Sequence, residues 1–395
     1  MKQNQIIIIV GAILLVFICM AVGAVGLYLF WLQREAPASA EADALILPTD
    51  LPTDLPPDED VVEPAATFPP PTQPAEVPVE SQHKEVPLNV ITWKGEDQPI
   101  AYGDTAQGTI AQIGDRHTYV FEGQEGTRIT ASLEGKDFNI YLMRPDEKVW
   151  DCRSSSSSCS IDNVKLPETG QYKLIVDAYQ DNLGDYTVTL FNMGDFTQPI
   201  GYEQPIGGAL ALIGEQRHYT FDGQEGERVT ASLAGAGFGL QLMRPDEKFW
   251  DCLSSSSSCS IDNVKLPETG QYTLIVDAYK DTLGDYTVML FDMGNFTQPI
   301  DYGQSTEGTL SLVGEQRHYT FEAQAGEHVT ASLEGEGLRL YLMRPDEKFW
   351  DCHTSSGKCL IDNVELPETG QYTLIVDGND ENPGGYTVAL VKNSG

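Results

Sequence analysis

Basic residues are scarce in this sequence. Its 395 residues include 24 lysines and arginines against 59 aspartates and glutamates, which gives a formal net charge of −35. A surface of this sign repels the phosphates of nucleic acids and anionic lipid headgroups. We therefore predict no nucleic-acid partner. The field favours cations and basic protein surfaces, although an acidic surface also serves solubility alone.

Histidine is also rare, and its positions do not recur. The chain has six histidines, and His117 stands where positions 100 and 200 residues later hold Arg217 and Arg317. Nucleophilic hydrolysis needs a serine or cysteine beside a histidine and an orienting acid. The sequence offers no such set, so we predict a protein that is not an enzyme.

The chain has only seven cysteines, but six of them fall into three evenly spaced pairs. No histidine recurs beside all three pairs, as a zinc site would require. We predict three disulfide bonds, which need an oxidising compartment outside the cytoplasm. Reduced cytosolic thiols are the alternative. The pairs are Cys152 with Cys159, Cys252 with Cys259, and Cys352 with Cys359.

One long apolar run lies near the N-terminus. Residues 6–32 carry no charged side chain, and the run exceeds the roughly 20 residues that cross a bilayer. Lys2 precedes it, and Trp31 lies at its outer end, where aromatic rings favour the headgroup region. We predict an uncleaved single-pass anchor in the cell membrane, with residues 1–5 cytoplasmic and the C-terminal domains extracytoplasmic. A cleaved signal peptide is the alternative.

Proline and acidic residues dominate the next segment. Between Glu35 and Pro87 lie 12 of the 23 prolines and 12 carboxylates, against one lysine. Such a composition does not build a core, and its prolines and like charges extend the chain. We predict a disordered Pro-rich acidic linker over residues 33–92, acting as a spacer.

The remainder of the chain repeats with a period of 100 residues. The marker sequence RPDEK begins at Arg144, Arg244 and Arg344. Because 100 residues far exceed the 20 to 50 of a solenoid repeat, each copy is expected to fold as a whole domain. The predicted domains are residues 93–193, 194–293 and 294–395.

Apolar residues alternate with polar ones within each copy. Tyr119 and Phe121 share one face of HTYVF, and Ile129 and Leu133 share one face of RITASL. Turn sequences such as PETG and NLGD separate these runs, and no long helical period intervenes. We predict an all-β fold: three tandem jelly-roll-like antiparallel β-sandwich domains behind a transmembrane helix and a disordered stalk.

Four segments of the second copy follow in a characteristic order: GQEGERVTASL, LQLMRPDEK, VKLPETGQYTLIVD and GDYTV. This order resembles the bacterial pre-peptidase C-terminal (PPC) domain family, in three tandem copies. The resemblance implies a jelly-roll fold and an accessory role, because family members usually aid secreted peptidases in substrate or surface binding or in maturation. The chain itself has no peptidase domain, and the family does not generally require the cysteine pairs.

A tryptophan and an aspartate precede each cysteine pair, in WDCRSSSSSC, WDCLSSSSSC and WDCHTSSGKC. In one hypothesis the indole packs against the disulfide, since tryptophan is usually mostly buried. In the other, the indole and its neighbouring carboxylate form an exposed platform for a sugar ring, and three copies multiply a weak affinity. The candidate ligand-binding residues are Trp150 and Asp151, Trp250 and Asp251, and Trp350 and Asp351.

Carboxylates also recur in turn sequences such as DAYQDNLGD, where oxygen ligands would suit a hard cation. The spacing is not that of an EF-hand loop, so solvated turn carboxylates are the alternative to calcium. No other cofactor is predicted. The candidate ligands are Asp177, Asp181 and Asp185, Asp277, Asp281 and Asp285, and Asp377 and Asp380.

Together these features predict a membrane-anchored extracytoplasmic protein that presents three non-catalytic modules to a polysaccharide or a surface protein. Two alternatives stay open. One is a structural spacer or envelope component without a soluble ligand. The other is an accessory partner of a separately encoded secreted peptidase.

Overall fold

The structure is a computed structural model that describes residues 89–393, apart from 93, 155–156, 180–181, 255–256, 280, 355–356 and 379–383. The predicted cytoplasmic tail, the anchor at residues 6–32 and most of the predicted linker lie outside the described residues. Among the residues that are described, none forms a helix with the length and apolar character of a membrane span.

Apart from two single turns of 3₁₀ helix, all regular secondary structure in the described residues is β-strand, arranged in three similar domains. Domain 1 contains β1 (Asn89–Thr92), β2 (Gln98–Pro99), β3 (Asp104–Ile110), β4 (Arg116–Gly123), β5 (Arg128–Glu134), β6 (Phe138–Met143), β7 (Val149–Arg153), β8 (Ser158–Lys165), β9 (Gly170–Ala178) and β10 (Gly184–Asn192). Domain 2 contains β11 (Thr197–Pro199), β12 (Ile206–Leu210), β13 (Gln216–Gly223), β14 (Arg228–Ala234), β15 (Phe238–Met243), β16 (Phe249–Leu253), β17 (Ser258–Lys265), β18 (Gly270–Ala278) and β19 (Gly284–Asp292).

Domain 3 repeats the arrangement of domain 2. It contains β20 (Thr297–Pro299), β21 (Ser305–Leu310), β22 (Gln316–Ala323), β23 (His328–Glu334), β24 (Leu338–Met343), β25 (Phe349–His353), β26 (Lys358–Glu365), β27 (Gly370–Gly378) and β28 (Gly384–Lys392). Single turns of 3₁₀ helix, Met193–Phe196 and Met293–Phe296, connect the domains.

Each domain is a sandwich of two sheets, as predicted. In domain 1 the sheets have the strand orders β1-β3-β10-β5-β8 and β2-β4-β9-β6-β7, and domains 2 and 3 repeat this pattern without a counterpart of β1. The short strands β1 and β2 are left out here, and β3 to β10 are renumbered 1 to 8 in chain order. The strands then lie in the order 1-8-3-6 in one sheet and 2-7-4-5 in the other. This is the strand order of a jelly roll.

Two details of the prediction are wrong. The sheets are not purely antiparallel, because β1 pairs with β3 in parallel, and β2, β11 and β20 pair in parallel with β4, β13 and β22. In addition, Asn89–Thr92, assigned to the linker, forms β1 in register with Asp104–Gln107. Domain 1 therefore begins no later than Asn89. The Pro-rich composition that defined the linker ends at Pro87, so it gave no signal for this boundary.

Each sandwich has its own core, built from the inward residues of both sheets. In domain 2 the core includes Tyr219, Leu233, Leu274 and Tyr286, each at most 4% exposed. The residues of each core come from that domain alone. A fragment of residues 86–395 therefore holds every described strand and all three cores, and we expect it to fold without the N-terminal segment.

The packing of this core requires glycine at position 208. Tyr286 lies over Gly208, and a Cβ atom at Gly208 would lie 2.5 Å from the hydroxyl oxygen of Tyr286. That hydroxyl forms a buried hydrogen bond of 2.7 Å with the hydroxyl of Tyr219 in the facing sheet. Only glycine leaves room for the bond that joins the two layers at this point.

The junction between domains 1 and 2 has an apolar centre at the connecting turn. Phe191, Met193 and Phe196 are buried together and pack against Leu212. The Arg217 guanidinium lies over the Phe196 ring, 4.8 Å from its centre. The junction between domains 2 and 3 repeats this cluster with Phe291, Met293, Phe296, Leu312 and Arg317.

Ion pairs flank each apolar centre. Arg128 Nη2 of domain 1 lies 2.7 Å from Glu247 Oε1 of domain 2, and Lys165 Nζ lies 3.4 Å from the same oxygen. The second junction repeats both pairs, with Arg228 at 2.6 Å and Lys265 at 3.9 Å from Glu347. The same geometry is therefore used twice.

Two surfaces meet at each junction. We call the outward side of the sheet that contains β5, β8 and β10, or its counterpart, the tail face of a domain. The outward side of the sheet that contains β4, β6 and β9, or its counterpart, is the head face. His218 and Ile275, on the head face of domain 2, are 3% and 2% exposed, whereas their domain 1 counterparts Thr118 and Ile175 are only half-buried. The tail face of domain 1 thus covers part of the head face of domain 2.

Candidate functional site: the disulfide-closed edge strands

The three disulfides join the two sheets of each sandwich at an edge. Cys152 lies in β7 and Cys159 in β8, and these are the edge strands of opposite sheets. Their Cα atoms are 6.0 Å apart, and the corresponding distances in domains 2 and 3 are 5.9 and 5.8 Å. Each bond therefore closes the open side of its sandwich and fixes the edge strand that carries the Trp-Asp pair.

The tryptophans face inward from these edge strands. Trp250 is half-buried and packs against the domain 2 core beside Cys252. The Arg244 guanidinium lies over its ring, 5.6 Å from the centre, in a cation–π contact. Trp150 and Trp350 have the same arrangement, with Arg144 and Arg344 at 5.5 and 5.7 Å. With an arginine over its ring and the core beside it, the indole is not an open platform for a sugar.

The aspartates lie on the other side of the same strands. Because side chains alternate along a β-strand, Asp251 points outward while Trp250 points to the core, and the burial pattern alternates accordingly. The structure therefore does not bring Trp and Asp together in one binding surface. The predicted pairs Trp150 and Asp151, Trp250 and Asp251, and Trp350 and Asp351 are all separated in this way.

The residues that share the outward face with the aspartates were missed from the sequence. Phe249 and Leu253 flank Asp251 and are 55% and 63% exposed. In domain 3, Phe349 is 59% exposed. The alternation in FWDCL gives the signal: once Trp250 is placed inward, Phe249 must point to solvent. We call these surfaces the outer edge faces: Val149, Asp151 and Arg153, Phe249, Asp251 and Leu253, and Phe349, Asp351 and His353.

Domain 3 has the most elaborate outer edge face. The Phe349 ring meets the Tyr341 ring edge to face, with centres 5.3 Å apart. Arg339 donates to the Tyr341 hydroxyl at 3.0 Å, and its Nε lies 3.2 Å from His353 Nδ1. His353 Nε2 in turn lies 3.7 Å from an oxygen of Asp351. Aromatic surface, an acid and fixed hydrogen-bond donors thus lie side by side on one strand pair.

Among the described residues, no group of three or more histidine, cysteine, aspartate or glutamate side chains is placed to hold a metal ion. Asp177 pairs with Arg116 at 3.3 Å, Asp185 accepts from Thr109 at 2.6 Å, and Asp281 accepts from Ser157 of domain 1 at 3.4 Å. Two candidates, Asp181 and Asp380, lie outside the described residues. The calcium hypothesis stays a prediction.

Asp277 lies at the first junction, where Gln216 donates to it at 2.9 Å. Burial, and then the nearby charge of Asp162 from domain 1, raise the pKa of Asp277 to about 6. The folded state therefore binds this proton more tightly than the unfolded chain, whose aspartate pKa is about 3.9. Between these values the free energy of unfolding falls as the pH rises, and the loss is complete above pH 6.

We expect the substitution Asp277→Asn to abolish this decrease in the free energy of unfolding between about pH 4 and pH 6. At pH 7 the variant should be more stable than the wild type by about 1 to 3 kcal/mol, and below pH 4 the two should converge. Hydrogen exchange in β18 between pH 4 and 7 measures the difference. The exposed Asp222 supplies the control, Asp222→Asn, which should follow the wild type. A constant gap between Asp277→Asn and wild type across this range would contradict the assignment.

No protein-family model matches this chain, and no curated protein matches it in sequence. Among solved structures, it is similar to PliG, a periplasmic inhibitor of g-type lysozyme, from Aeromonas hydrophila (16% identity, 25% of this chain, 96% of that chain, TM-score 0.20) and from Salmonella Typhimurium (21%, 25%, 98%, 0.20). It is also similar to the pre-peptidase C-terminal domain of a Bacillus anthracis collagenase (20%, 24%, 93%, 0.20). Similarity at this level does not assign the chain to a family or a function.

Proposed function

We propose that this chain is a membrane-anchored, extracytoplasmic, non-catalytic binding protein whose three domains present their outer edge faces to a polysaccharide or a surface protein. The observation that carries the proposal is the exposure of Phe249 and Phe349 beside an outward aspartate on strands fixed by a disulfide. Exposed apolar side chains that lie together, as Phe349 does with Tyr341, mark contact surfaces more often than isolated ones do.

The domains suit weak, repeated contacts. Phe249 supplies an apolar surface that stacks on a sugar ring or an apolar side chain, and Asp251 accepts hydrogen bonds from hydroxyl or amide groups. Because the outer edge faces belong to one chain, engagement of one raises the effective concentration of the others. The disulfides support the proposed location outside the cytoplasm, because such bonds persist in an oxidising compartment. The proposed anchor is the apolar run at residues 6–32.

Binding of the 86–395 fragment to a glycan array and to extracted surface proteins of its host tests this function. We expect the double variant Phe249→Ala with Phe349→Ala to lose at least about tenfold in affinity for the ligand so found, because aromatic anchors dominate binding energy. Leu283→Ala removes an exposed apolar residue from a loop of domain 2 and should bind as the wild type does. Full binding by the double variant would refute the proposed site.

A structural spacer is the second candidate, and the junctions favour it. Both junctions repeat the same apolar cluster and ion pairs, which is the construction expected of an arm that holds its domains in fixed orientation. A fragment that binds no glycan and no host protein would support the spacer. Capture of a secreted peptidase in the same screen would instead support the accessory role that the family resemblance suggests.

A further inference from the structure

The tail face of domain 3 and the head face of domain 1 expose residues whose counterparts are buried at the internal junctions. On the tail face, Val391 of domain 3 occupies the position of Phe191 and Phe291, which are at most 1% exposed, yet Val391 is 47% exposed. Leu360, also 47% exposed, stands where domains 1 and 2 have Ser160 and Ser260. The free tail face thus carries two large apolar residues.

A loop beside the head face of domain 1 also exposes an apolar residue. Ile113 is 67% exposed, whereas its counterparts Ile213 and Val313 are half-buried at the internal junctions. At the first internal junction Phe191 packs against Leu212. The domain 1 counterpart of Leu212 is Gln112, so with the internal geometry Val391 would meet Gln112, next to the exposed Ile113.

Charges on the two free faces are also complementary at one point. At the first junction, Asp162 of the tail face lies near Asp277 and Gln216 of the head face. In domain 1 the counterpart of Gln216 is Arg116, and in domain 3 the counterpart of Asp162 is Asp362. Asp277 also has a carboxylate counterpart in domain 1, Asp177, which pairs with Arg116 at 3.3 Å. Between chains, Asp362 would therefore face the Arg116–Asp177 pair, whereas inside the chain Asp162 faces Asp277 and the uncharged Gln216.

We propose that copies of this protein associate head to tail, with the tail face of domain 3 in one copy seated on the head face of domain 1 in the next, as at the internal junctions. Such a contact uses a different surface on each partner, so it builds an open row of molecules instead of a closed pair. The inference does not depend on ligand binding by the outer edge faces.

The association is weaker than an internal junction for three reasons. The connecting turns that supply Met193 and Met293 to the internal clusters have no counterpart between chains. His328 stands where Arg128 and Arg228 pair with Glu247 and Glu347. Glu365 replaces the lysines that pair with the same glutamates, and it would face Glu147 across the contact. We therefore expect a dissociation constant of about 0.1 to 1 mM, in the range of weak transient contacts.

Sedimentation equilibrium of the 86–395 fragment tests the proposal. The wild type should show reversible, concentration-dependent masses above the monomer, and the double variant Leu360→Ser with Val391→Asp should remain a monomer. The control Leu283→Ser removes an exposed apolar residue from a loop of domain 2, whose head and tail faces are both occupied, and should associate as the wild type does.

A variant that should associate more tightly than the wild type provides a second test. Glu365→Lys rebuilds the lysine–glutamate pair of the internal junctions against Glu147 and should tighten association by about tenfold, from the removed repulsion and the added attraction. A wild type that stays monomeric up to about 1 mM overturns the proposal, whatever Glu365→Lys does. Association that the Leu360 and Val391 substitutions leave unchanged overturns the assigned surface.

Discussion

Replacing Trp250 with alanine is expected to lower the free energy of unfolding of domain 2 by about 2 to 3 kcal/mol, the range for deleting a large, partly buried aromatic side chain. Trp250 packs against the core and holds the Arg244 guanidinium over its ring, so its loss leaves a cavity and an arginine without its aromatic partner. Hydrogen exchange in β13 and β18 of the 86–395 fragment measures the effect on domain 2 alone.

The neighbouring substitution Phe249→Ala is the matched control. Phe249 points to solvent from the same strand, so its removal should change stability by less than about 0.5 kcal/mol. The two variants therefore separate folding from binding: Trp250→Ala weakens the domain, and Phe249→Ala weakens the contact. Equal stability of Trp250→Ala and wild type would contradict the inward placement of the indole.

Removal of one disulfide is the second change with a large expected effect. The double variant Cys252→Ser with Cys259→Ser should destabilise domain 2 by about 2.5 kcal/mol, on the loop-entropy model for the short loop that this bond closes. The bond also joins the edge strands β16 and β17 of opposite sheets. We therefore expect exchange to rise first in β16, which pairs with one strand only, and to spread through the domain as the temperature rises.

Dithiothreitol provides an independent route to the same state. Reduction of the wild-type fragment should open all three bonds and lower the unfolding temperature of every domain, whereas the double variant should lose no further stability in domain 2. Unchanged exchange in β16 of the double variant would show that the bond does not hold this edge. The variant should keep its β-sheet circular dichroism at room temperature, because the core of domain 2 remains.

The sandwich architecture was predictable because period-two alternation fixes which residues face the core. Tyr119, Ile129 and Leu133, chosen from that pattern, are all fully buried. The disulfide pairing was predictable from the recurrent spacing alone. The parallel pairing of β2 with β4 was not, since a two-residue strand leaves no periodic signal.

The functional face was harder to predict from sequence. The binding site was predicted at Trp150, Trp250 and Trp350. The alternation of side chains along a strand would have placed each indole on the opposite side from its aspartate. A tertiary contact decides which way these side chains point. The cysteine two residues after each tryptophan must face the other sheet to form its disulfide bond, and the indole lies on the same side of the strand. The junctions had no sequence signal either, because contacts such as Arg128 with Glu247 join residues more than 100 positions apart.

Hydroxyl-radical footprinting of the 86–395 fragment tests most directly the claim that the edge strands turn phenylalanine outward and tryptophan inward. Relative to the unfolded chain, we expect Phe249 and Phe349 to be oxidised at nearly unchanged rates and Trp250 and Trp350 to be slowed several-fold. Tryptophans that react as fast as in the unfolded chain, with both phenylalanines protected, would contradict the account and return the binding site to the indoles.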